Sequence, residues 1–323
     1  MMTFIFSKLS SYMINPSCSI GTSLYLFKYR SPVSKCQYNF RKKGGCQSIN
    51  ACYHNQKGGK VKLEQCDLHV HSSYSDGQYT PDDLADKAIE AGLDVFSVTD
   101  HDSIGAYEGG FQDIIKSVHI VPGVEITAGF KEETIHLLGY CFDPRDRNLA
   151  SFLHSRRIAR ENWAFKLFPG EENRPLTFRG KSLTLKDIRD ALIHTSSSSA
   201  AESLIKKEKK AMEKASAKKT ISVIHEAGGV AILAHPGLYT TRAEFLIRHL
   251  KPLGLDGIEI FYPYTAHCPH LFPSRDKERC YFSYLLALSQ KYGLLVTGGS
   301  DTHNGRLHGW PLEKLPSLPC FFW

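Results

Sequence analysis

The chain has 323 residues, of which 42% are hydrophobic and 23% are charged, so its composition excludes a fibre or a disordered polymer and is typical of a folded protein. The formal net charge of +7 suggests nucleic-acid binding, but ten Lys and Arg residues and no acidic residue fall within residues 1–63. Residues 64–323 carry 30 basic and 33 acidic side chains, so overall charge does not indicate binding to duplex DNA.

Residues 1–63 have the composition of an organelle transit peptide, because they lack Asp and Glu and are rich in Ser, Tyr, Phe, Lys and Arg. Their apolar runs are short and are interrupted by Lys8, Pro16 and Lys28, so neither a secretory signal nor a membrane span is predicted. We expect import into a plastid (chloroplast). The alternatives are a mitochondrial or cytoplasmic location, the latter with residues 1–63 as a plain disordered tail.

From Gln65 onward, short apolar runs alternate with amphipathic segments, which predicts parallel strands joined by crossover helices. The first helix is well delimited, because Thr80 is its N-cap, Pro81 is its first residue and Gly92 follows its last turn. After strand 66–71 and this helix, the predicted elements are strands 94–100, 119–126 and 134–140, helices 149–167 and 200–226, strand 229–235, helix 242–250, strand 257–261, helix 280–292 and strand 294–298.

Residues 168–219 break this alternation. They contain a polar run at 196–199, a charged run at 206–210 and a low-complexity Lys/Ala/Glu helix that ends at Lys219. A solvated surface helix and a basic lid that contacts an anionic substrate both fit this composition. We therefore treat residues 168–219 as an atypical helical insertion in a domain that spans residues 64–323.

Two pairs of potential metal ligands share one spacing near opposite ends of the domain. His69 and His71 lie two residues apart on a predicted strand, so their side chains project from the same face. Asp301 and His303 repeat the spacing just beyond the last predicted strand. Either pair alone is weak evidence, because surface histidines and core histidines bonded to a backbone carbonyl are common.

Further ionisable residues lie at or near the ends of predicted strands. His101 and His235 each end an apolar strand, where barrel-like parallel sheets carry catalytic groups. Asp76 follows the first pair in a Ser-Asp-Gly turn that can fold its carboxylate back over a site. With Glu125 and His136, the set comprises six imidazoles and three carboxylates. So many N and O ligands exceed the need of one ion and, without paired cysteines, favour Mn, Fe or Zn in an open catalytic site.

Five motifs in a fixed order connect these residues to a known family. They are Asp67-Leu68-His69-Val70-His71-Ser72 with Asp76, Thr99-Asp100-His101-Asp102, Gly123-Val124-Glu125-Ile126, Ala234-His235-Pro236 and Gly299-Ser300-Asp301-Thr302-His303. Through these motifs the domain resembles the polymerase and histidinol phosphatase (PHP) superfamily, and within it the branch of nucleoside 3',5'-bisphosphate phosphatases and 5'-3' exoribonucleases. The resemblance spans about residues 66–303, except the middle.

The resemblance implies an α/β fold, namely a distorted (β/α)7 barrel of PHP type that has a helical insertion and carries three divalent metal ions at its carboxyl-terminal mouth. Manganese is the expected metal, and iron and zinc are the alternatives. By position, the resemblance assigns His69, His71, Glu125 and Asp301 to the first ion, Asp76, His101 and His303 to the second, and Glu125, His136 and His235 to the third, with Glu125 as a bridge.

The resemblance further implies a phosphoric ester hydrolase. Three divalent ions and three carboxylates leave a positive pocket for a phosphate dianion, and the ions lower the pKa of bound water so that hydroxide attacks the ester. The expected partner is a small phosphorylated substrate, either a nucleoside 3',5'-bisphosphate or the 5' end of short RNA. No binding to a membrane is expected. The sequence has no Gly-x-Ser-x-Gly or P-loop pattern, which argues against a serine hydrolase or a kinase.

Four residues near the ligands are candidates for supporting roles. Asp100 and Asp102 flank His101 and are placed to orient its imidazole, although a turn or helix-capping role is the alternative for Asp102. Glu259 ends an apolar strand and is a similar candidate. His267 is a candidate to contact the substrate or protonate the leaving group, with a surface loop histidine as the alternative.

The middle of the chain departs from the family pattern. In the related phosphoesterases this region carries an Arg-Pro-His-type motif over the substrate, and residues 193–203 lack it. Arg156, Arg157 and Arg160 precede the gap on one predicted helix and face either phosphate or solvent. Histidinol phosphate hydrolysis and a non-catalytic regulatory module descended from the enzyme are therefore the alternatives to a nucleotide phosphoesterase.

Overall fold

The computed structural model describes residues 65–108, 111, 118–167, 188 and 215–311, together with the backbone of four short strands before residue 65. These strands form two antiparallel pairs, β1 (Arg41–Lys43) with β2 (Cys46–Ser48), and β3 (Cys52–His54) with β4 (Lys60–Lys62). Both pairs lie in the segment predicted as a transit peptide, and that role stays a prediction.

The remaining elements follow the alternation that the apolar runs predict. The strands are β5 (Gln65–Val70), β6 (Val95–Val98), β7 (His119–Ile120), β8 (Gly123–Phe130), β9 (Glu133–Tyr140), β10 (Ala215–Ser216), β11 (Val230–Leu233), β12 (Gly257–Phe261), β13 (Leu295–Gly298) and β14 (Trp310–Pro311). The helices are α1 (Pro81–Glu90), α2 (Arg147–Leu167), α3 (Ala217–Glu226), α4 (Ala243–Leu250), α5 (Tyr264–His267) and α6 (Arg275–Tyr292).

The strands form a four-stranded sheet, in the order β14-β5-β6-β7, and a six-stranded sheet, in the order β10-β8-β9-β11-β12-β13. Pairing is parallel from β5 to β7 and from β11 to β13. Two isolated parallel bridges also join the two sheets. Val70, at the end of β5, pairs with Thr302, after β13, and His101, after β6, pairs with Glu125 on β8. The protein therefore has a mixed α/β fold with parallel sheets, as predicted.

The expectation of parallel pairing throughout is wrong for β8, β9 and β11. β9 pairs antiparallel with both β8 and β11. Only Lys131 and Glu132 separate Phe130 from Glu133 across the turn, and a two-residue connection is far too short for a crossover helix. Lys131 takes a left-handed backbone conformation, with φ of 51°, which allows this tight turn. The predicted strand 119–126 is likewise two strands, separated by Val121 and Pro122.

Helix α1 begins and ends where the sequence predicts. The Thr80 side chain accepts a hydrogen bond from the backbone N–H of Asp83, and the Asp83 carboxylate accepts one from the backbone N–H of Thr80. This reciprocal capping satisfies donors that the first helical turn leaves free. The apolar face, which includes Leu84 and Ala88, is buried.

Other helix boundaries differ from the prediction. α6 begins five residues earlier than predicted, because the Ser274 hydroxyl caps it by accepting the backbone N–H of Lys277. The part of the predicted helix 200–226 that the structure describes is α3, which Ser216 caps in the same way. Most of the insertion at 168–219 lies outside the described residues.

The interiors of the strands are apolar and buried, and β6 and β12 are buried along their whole length. No helix in the described part of the chain is both long and apolar enough to cross a membrane. Several ionisable side chains are nevertheless buried in the strands or just after them, namely Asp67, His69, His71, Asp100, Asp102, Glu125, His235 and Glu259. Burial of such groups is costly unless they are paired or bind a metal, so these strand ends mark the candidate site.

Candidate metal centre

The structure brings all nine predicted ligands together at one end of the parallel strands. Three overlapping groups of their N and O atoms lie close enough to hold metal ions. The first group is His69, His71, Glu125 and Asp301, the second is His71, Asp76, His101 and His303, and the third is His101, Glu125 and His136. His235 completes the set through the contact of its Nε2 with Glu125 Oε1 at 3.0 Å.

The first group joins the two ends of the domain. His69, on β5, and His71, directly after it, are fully buried. The segment after β13 pairs beside them through hydrogen bonds from Asp301 N to His69 O and from His71 N to Thr302 O. The His71 Nε2 atom lies 3.0 Å from Asp301 Oδ1 and 3.3 Å from Glu125 Oε2. The matching distances from His69 Nε2 are both 3.4 Å.

The second group depends on a turn that folds Asp76 back toward β5. Asp76 Oδ1 lies 3.2 Å from His303 Nε2 and 3.8 Å from His71 Nδ1, and Asp76 Oδ2 lies 4.0 Å from His101 Nε2. The turn needs Gly77, because a Cβ atom at this position would lie 2.0 Å from the His71 carbonyl oxygen. The predicted role of the Ser-Asp-Gly turn is thus consistent with the geometry.

Glu125 lies at the centre of the cluster. Its Oε1 is 2.8 Å from His136 Nδ1, on the neighbouring strand β9, and 3.0 Å from His235 Nε2. Its Oε2 is 3.0 Å from His101 Nδ1, besides its contacts with His69 and His71. One carboxylate therefore touches five imidazoles.

The electrostatics of the cluster follow from this crowding. Burial by itself would raise the pKa of Glu125, but the adjacent imidazoles of His101, His136 and His69 hold this pKa well below its usual range. Burial would lower the pKa of His71, but the adjacent carboxylates of Asp301 and Glu125 raise this pKa to about 10. The neighbouring carboxylates therefore favour the protonated forms of His69 and His71, whereas burial lowers the pKa of His101. A metal ion bound by His69 and His71 would displace their protons.

The donor set fits divalent metal ions. Five buried atoms within the cluster have no hydrogen-bond partner although they face groups of opposite charge, namely Nε2 of His69, Nε2 of His71, Nδ1 of His101, Oε2 of Glu125 and Oδ1 of Asp76. Unpartnered buried polar atoms are costly, and coordination to a metal ion satisfies them. Imidazole and carboxylate ligands suit Mn, Fe or Zn.

Two other ligands have unusual backbone conformations. His235 and Asp301 have positive φ values of 26° and 52°, which residues other than glycine rarely adopt. His235 lies two residues after β11 and Asp301 lies three residues after β13, and at each position the left-handed backbone makes a sharp turn in the chain. Strain of this kind is held in place only by surrounding structure and is concentrated at functional sites.

Comparison with known proteins agrees with this geometry. The family model of the PHP domain matches residues 67–215. A 5'-3' exoribonuclease of Haemophilus influenzae is 30% identical over 256 residues, which cover 73% of this chain and 89% of the relative. The chain belongs to the PHP family.

Other PHP relatives act on phosphate esters too. The 5'-3' exoribonuclease Rnm of Escherichia coli is 28% identical over 260 residues, which cover 73% of this chain and 84% of the relative. A 3',5'-nucleoside bisphosphate phosphatase of Chromobacterium violaceum is 27% identical over 279 residues, with coverage of 80% and 93%. The chain is therefore a metal-dependent PHP phosphoesterase, a phosphoric ester hydrolase.

A solved structure shows the same fold. An amidohydrolase from Chromobacterium violaceum with bound sulfate and no metal superposes with a TM-score of 0.59 at 24% identity, covering 80% of this chain and 93% of that chain. At this level of identity the likeness supports the fold alone.

Besides the proposed ligands, the metal centre contains residues that contact the ligands and hold them in place. Glu259 is fully buried, and its carboxylate lies 3.0 Å from His69 Nδ1 and accepts the backbone N–H of His235 at 2.8 Å. This contact is consistent with the orienting role that the sequence predicts for Glu259, and the role itself stays a prediction. Such partners fix the orientation of an imidazole and raise its basicity as a ligand.

Two supporting residues were missed by the sequence analysis. The Tyr262 hydroxyl donates to Asp301 Oδ2 at 2.9 Å, directly after β12. Asp67 accepts the backbone N–H groups of Ser300 at 2.8 Å and of His308 at 2.9 Å, so it ties the first strand of the site to the last. Asp67 is the first residue of the motif that contains His69 and His71, whereas a tyrosine after a strand is indistinguishable from a core residue in sequence.

Asp100 has different partners from those the sequence suggests. Its carboxylate accepts hydrogen bonds from the backbone N–H of Ser72 at 2.8 Å and from the hydroxyls of Ser72 at 2.6 Å and Ser75 at 2.5 Å. Ser75 Oγ in turn lies 3.4 Å from His71 Nδ1. Among the described hydrogen bonds, those of Asp100 therefore lead toward His71 and not to the imidazole of His101. Burial raises the pKa of Asp100, and these hydrogen bonds oppose the rise.

Asp102 and Arg160 of α2 form a buried contact. Asp102 accepts a hydrogen bond from Arg160 and another from the backbone N–H of Thr127 at 3.2 Å, and its left-handed backbone, with φ of 50°, is that of a turn residue. Arg156 and Arg160 are buried, so the alternative prediction that they face solvent is wrong for both. Arg157 is partly exposed and pairs with Glu161.

His267 lies beside the cluster and outside the ligand groups. It is exposed at the end of α5, its Nε2 lies 3.0 Å from the carbonyl oxygen of Ser300, and its ring lies 4.9 Å from that of Tyr262. Ser300 directly precedes Asp301, and Tyr262 donates a hydrogen bond to Asp301, so His267 lies close to this ligand although it is distant in sequence. A contact of His267 with substrate stays a prediction.

Proposed function

We propose that this PHP phosphoesterase releases phosphate or nucleotides from nucleoside 3',5'-bisphosphates or from the 5' end of short RNA. The observation that carries the proposal is the convergence of the six histidines and three carboxylates around Glu125. The named activities of the exoribonuclease and bisphosphate phosphatase relatives support the choice of substrate.

The proposed centre would hold three manganese ions, and Glu125 would contribute to the sites of the first and the third. His69, His71, Glu125 and Asp301 would hold the first ion, Asp76, His101 and His303 the second, and Glu125, His136 and His235 the third. When bound, such ions act as Lewis acids on a phosphate ester and lower the pKa of a water molecule toward neutrality. Three divalent cations and three carboxylates leave a net positive site, which favours a phosphate dianion.

The chain's own residues keep this site in one geometry. Glu259 orients His69 and holds the backbone at His235, and Tyr262 fixes one oxygen of Asp301. Asp67 fastens the segment that carries Asp301 to β5. Each support reduces the reorganisation that binding of ions and substrate would otherwise require.

We further propose that the two sheets belong to one distorted (β/α)7 barrel, built from β5, β6, β8, β9, β11, β12 and β13. The isolated bridges support this proposal, because they lie between the ends of β5 and β13 and between the ends of β6 and β8. Ligands would then lie at the carboxyl-terminal mouth, where barrels of this type place their active sites.

The test is an assay of the pure protein with Mn²⁺ against adenosine 3',5'-bisphosphate and 5'-phosphorylated oligoribonucleotides. We expect release of phosphate from the former or of nucleotides from the latter. Absence of both products would overturn the proposed substrates. Histidinol phosphate in the same assay tests the alternative phosphatase activity, and its preferential hydrolysis in competition would favour that alternative.

Import into a plastid is a separate proposal, based on the acid-free composition of residues 1–63. A fluorescent protein fused behind residues 1–63 should enter plastids, and a fusion to residues 64–323 should not. Import into mitochondria would favour the alternative organelle. Retention of both fusions in the cytoplasm would contradict a transit peptide.

A further inference from the structure

A group of aromatic and cationic side chains lies on the turn between β8 and β9 and along α4, from its N-cap to its last turn. We call it the rim surface, and it consists of Phe130, Lys131, Arg242, Phe245 and His249. Phe245 is 40% exposed, and Lys131, Arg242 and His249 are exposed too. Arg242, Phe245 and His249 follow one another at spacings of three and four residues, so they share one face of α4.

The topology places the rim surface beside the metal centre. β8 carries Glu125 and continues five residues beyond it to Phe130, a distance of about 17 Å along the strand. β8 runs parallel to β11, because β9 pairs antiparallel with both. The turn after β8 and the start of α4, which follows β11 and His235, therefore lie at the same end of the sheet as the ligands.

Contacts join the two parts of the rim surface. The Lys131 Nζ atom lies 4.5 Å from the centre of the Phe245 ring, and the Phe245 and His249 rings lie 4.1 Å apart. The Glu133 carboxylate accepts the backbone N–H of Thr241 at 2.9 Å, which fastens the turn to the segment before α4.

Two of the three carboxylates near these rings are engaged elsewhere, and the third, Glu132, is exposed on the turn beside Lys131. The Glu133 carboxylate is held by the threonines that precede α4. Glu244 Oε1 accepts hydrogen bonds from Lys291 and Tyr292, on the far side of α4 from the turn. The rim surface therefore presents exposed rings together with cations, which is the combination that binds single-stranded nucleic acid.

We propose that the rim surface binds single-stranded RNA downstream of the nucleotide held at the metal centre. A base stacks on Phe245, while Lys131 and Arg242 contact the phosphates that follow. Stacking of this kind tolerates any base, and cations along the backbone add affinity that depends on salt. The proposal rests on the proposed function and narrows it, because the turn after β8 lies about 17 Å along the strand from Glu125 and only a substrate longer than a nucleoside bisphosphate would span that length.

Binding is measured by fluorescence anisotropy with the metal-loaded protein and a labelled phosphorothioate oligoribonucleotide that resists hydrolysis. We expect Phe245→Ala to raise Kd about tenfold, as loss of one stacked base predicts. Phe245→Trp should retain the affinity. Lys131→Gln should weaken binding and reduce the dependence of log Kd on log salt concentration, since one phosphate contact is lost.

The matched control is Tyr284→Ala, which removes an equally exposed aromatic ring, 40% exposed, from the middle of α6. Circular dichroism and thermal unfolding verify that each variant is folded. An unchanged Kd for Phe245→Ala, or an equal loss for Tyr284→Ala, would overturn the proposal.

Turnover of two substrates separates this proposal from the proposed function. Phe245→Ala should raise KM for the 5'-phosphorylated oligoribonucleotide and leave kinetics with adenosine 3',5'-bisphosphate unchanged. If the wild-type protein bound RNA through Phe245 but hydrolysed neither substrate, the proposed function would fail while the rim surface stood. Equal effects on both substrates would instead count against the rim surface.

Discussion

Glu259 supports two proposed ligands at once and belongs to none of the ligand groups. Its carboxylate contacts His69 Nδ1 and accepts the backbone N–H of His235, and all of these atoms are buried. A metal ligand whose second ring nitrogen lacks such a partner is free to rotate or to take the wrong tautomer. At the scale of single residues, metal affinity therefore depends on side chains that never touch the ion.

We expect Glu259→Gln to lower metal affinity about tenfold to a hundredfold, because the amide is a weaker acceptor for His69 than the carboxylate. Competition with a chelating dye measures the affinity. The control is Glu278→Gln, at a buried glutamate that accepts the backbone N–H of Thr265 and contacts no proposed ligand. Equal affinities of the Glu259 variant and the wild type would contradict the orienting role.

The buried carboxyl group of Asp67 makes the stability of the folded protein depend on pH. Burial raises its pKa to about 6, and the backbone N–H groups of His308 and Ser300 oppose the rise. Since the folded-state pKa lies above the usual value of 3.8, Asp67 contributes most to stability below about pH 4, and that contribution is lost as pH rises through about 6. A shift of this size corresponds to about 3 kcal/mol.

We expect Asp67→Asn to remove this pH dependence. The free energy of unfolding lost on substitution should be larger at pH 4 than at pH 7, because only the wild type gains from protonation of Asp67. Urea denaturation at several pH values measures the difference. A loss that stayed constant over this range, or grew toward pH 7, would show that the Asp67 pKa is not raised in the folded protein.

Most of the ligand set could be predicted at the residue scale. Histidines and carboxylates stand out in apolar runs such as the one ending at His101, since burial of an ionisable group has to be compensated. Tyr262 could not be found in this way, because a buried tyrosine is ordinary in a core and its bond to Asp301 joins residues far apart in sequence. Asp100 was assigned to its neighbour His101, whereas folding places it against Ser72 and Ser75.

At the scale of elements, α2 is fastened to the ligand strands by the buried contact of Arg160 with Asp102. Asp102 also holds the backbone of Thr127 on β8 and donates its own N–H to the carbonyl oxygen of Glu125. The contact therefore links the helix to the strand that carries the central carboxylate. Removal of one partner of a buried ion pair leaves the other charge without compensation.

We expect Arg160→Met to lower the free energy of unfolding by about 3 kcal/mol or more. Arg157→Met on the same helix is the matched control. Arg157 is partly exposed and pairs with Glu161 at 3.7 Å, so its loss should cost about 1 kcal/mol or less. Chemical denaturation compares the two variants, and equal losses would contradict a structural role that is specific to Arg160.

The boundaries of the elements were predicted better than their pairing. The capping residues of α1 and the apolar run of β12 are local features, and both elements occur where the sequence places them. The antiparallel direction of β9 was missed, because its apolar pattern is the same for a strand in either direction. The two-residue turn at Lys131 and Glu132 was the available signal.

At the scale of the whole molecule, the metal centre joins segments that are distant in sequence. Ligands from β5, β8, β9 and the segments after β6, β11 and β13 meet in one cluster. An ion bound there stabilises the folded chain, because the unfolded chain does not bring these ligands together. Metal binding and global stability are therefore coupled.

We expect removal of metal by a chelator to lower the melting temperature, and addition of Mn²⁺ to restore it. At a metal concentration a hundredfold above Kd, one site contributes about 2.7 kcal/mol. The effect should weaken on acidification, because protons compete for the imidazoles and carboxylates of the cluster. Thermal unfolding with and without chelator at several pH values measures this, and identical melting curves would contradict metal binding at the cluster.

The sequence by itself determined the family, the alternation of strands and helices and the chemical nature of the ligands, since these depend on local patterns of residue type. Only the tertiary structure decided which atoms meet: the five imidazoles around Glu125, the support of Asp301 by Tyr262, the burial of Arg160 and the direction of β9. Such contacts join residues that are far apart in sequence and meet only when the chain folds. The residues of each segment do not show whether the contact forms, so the sequence could not predict it.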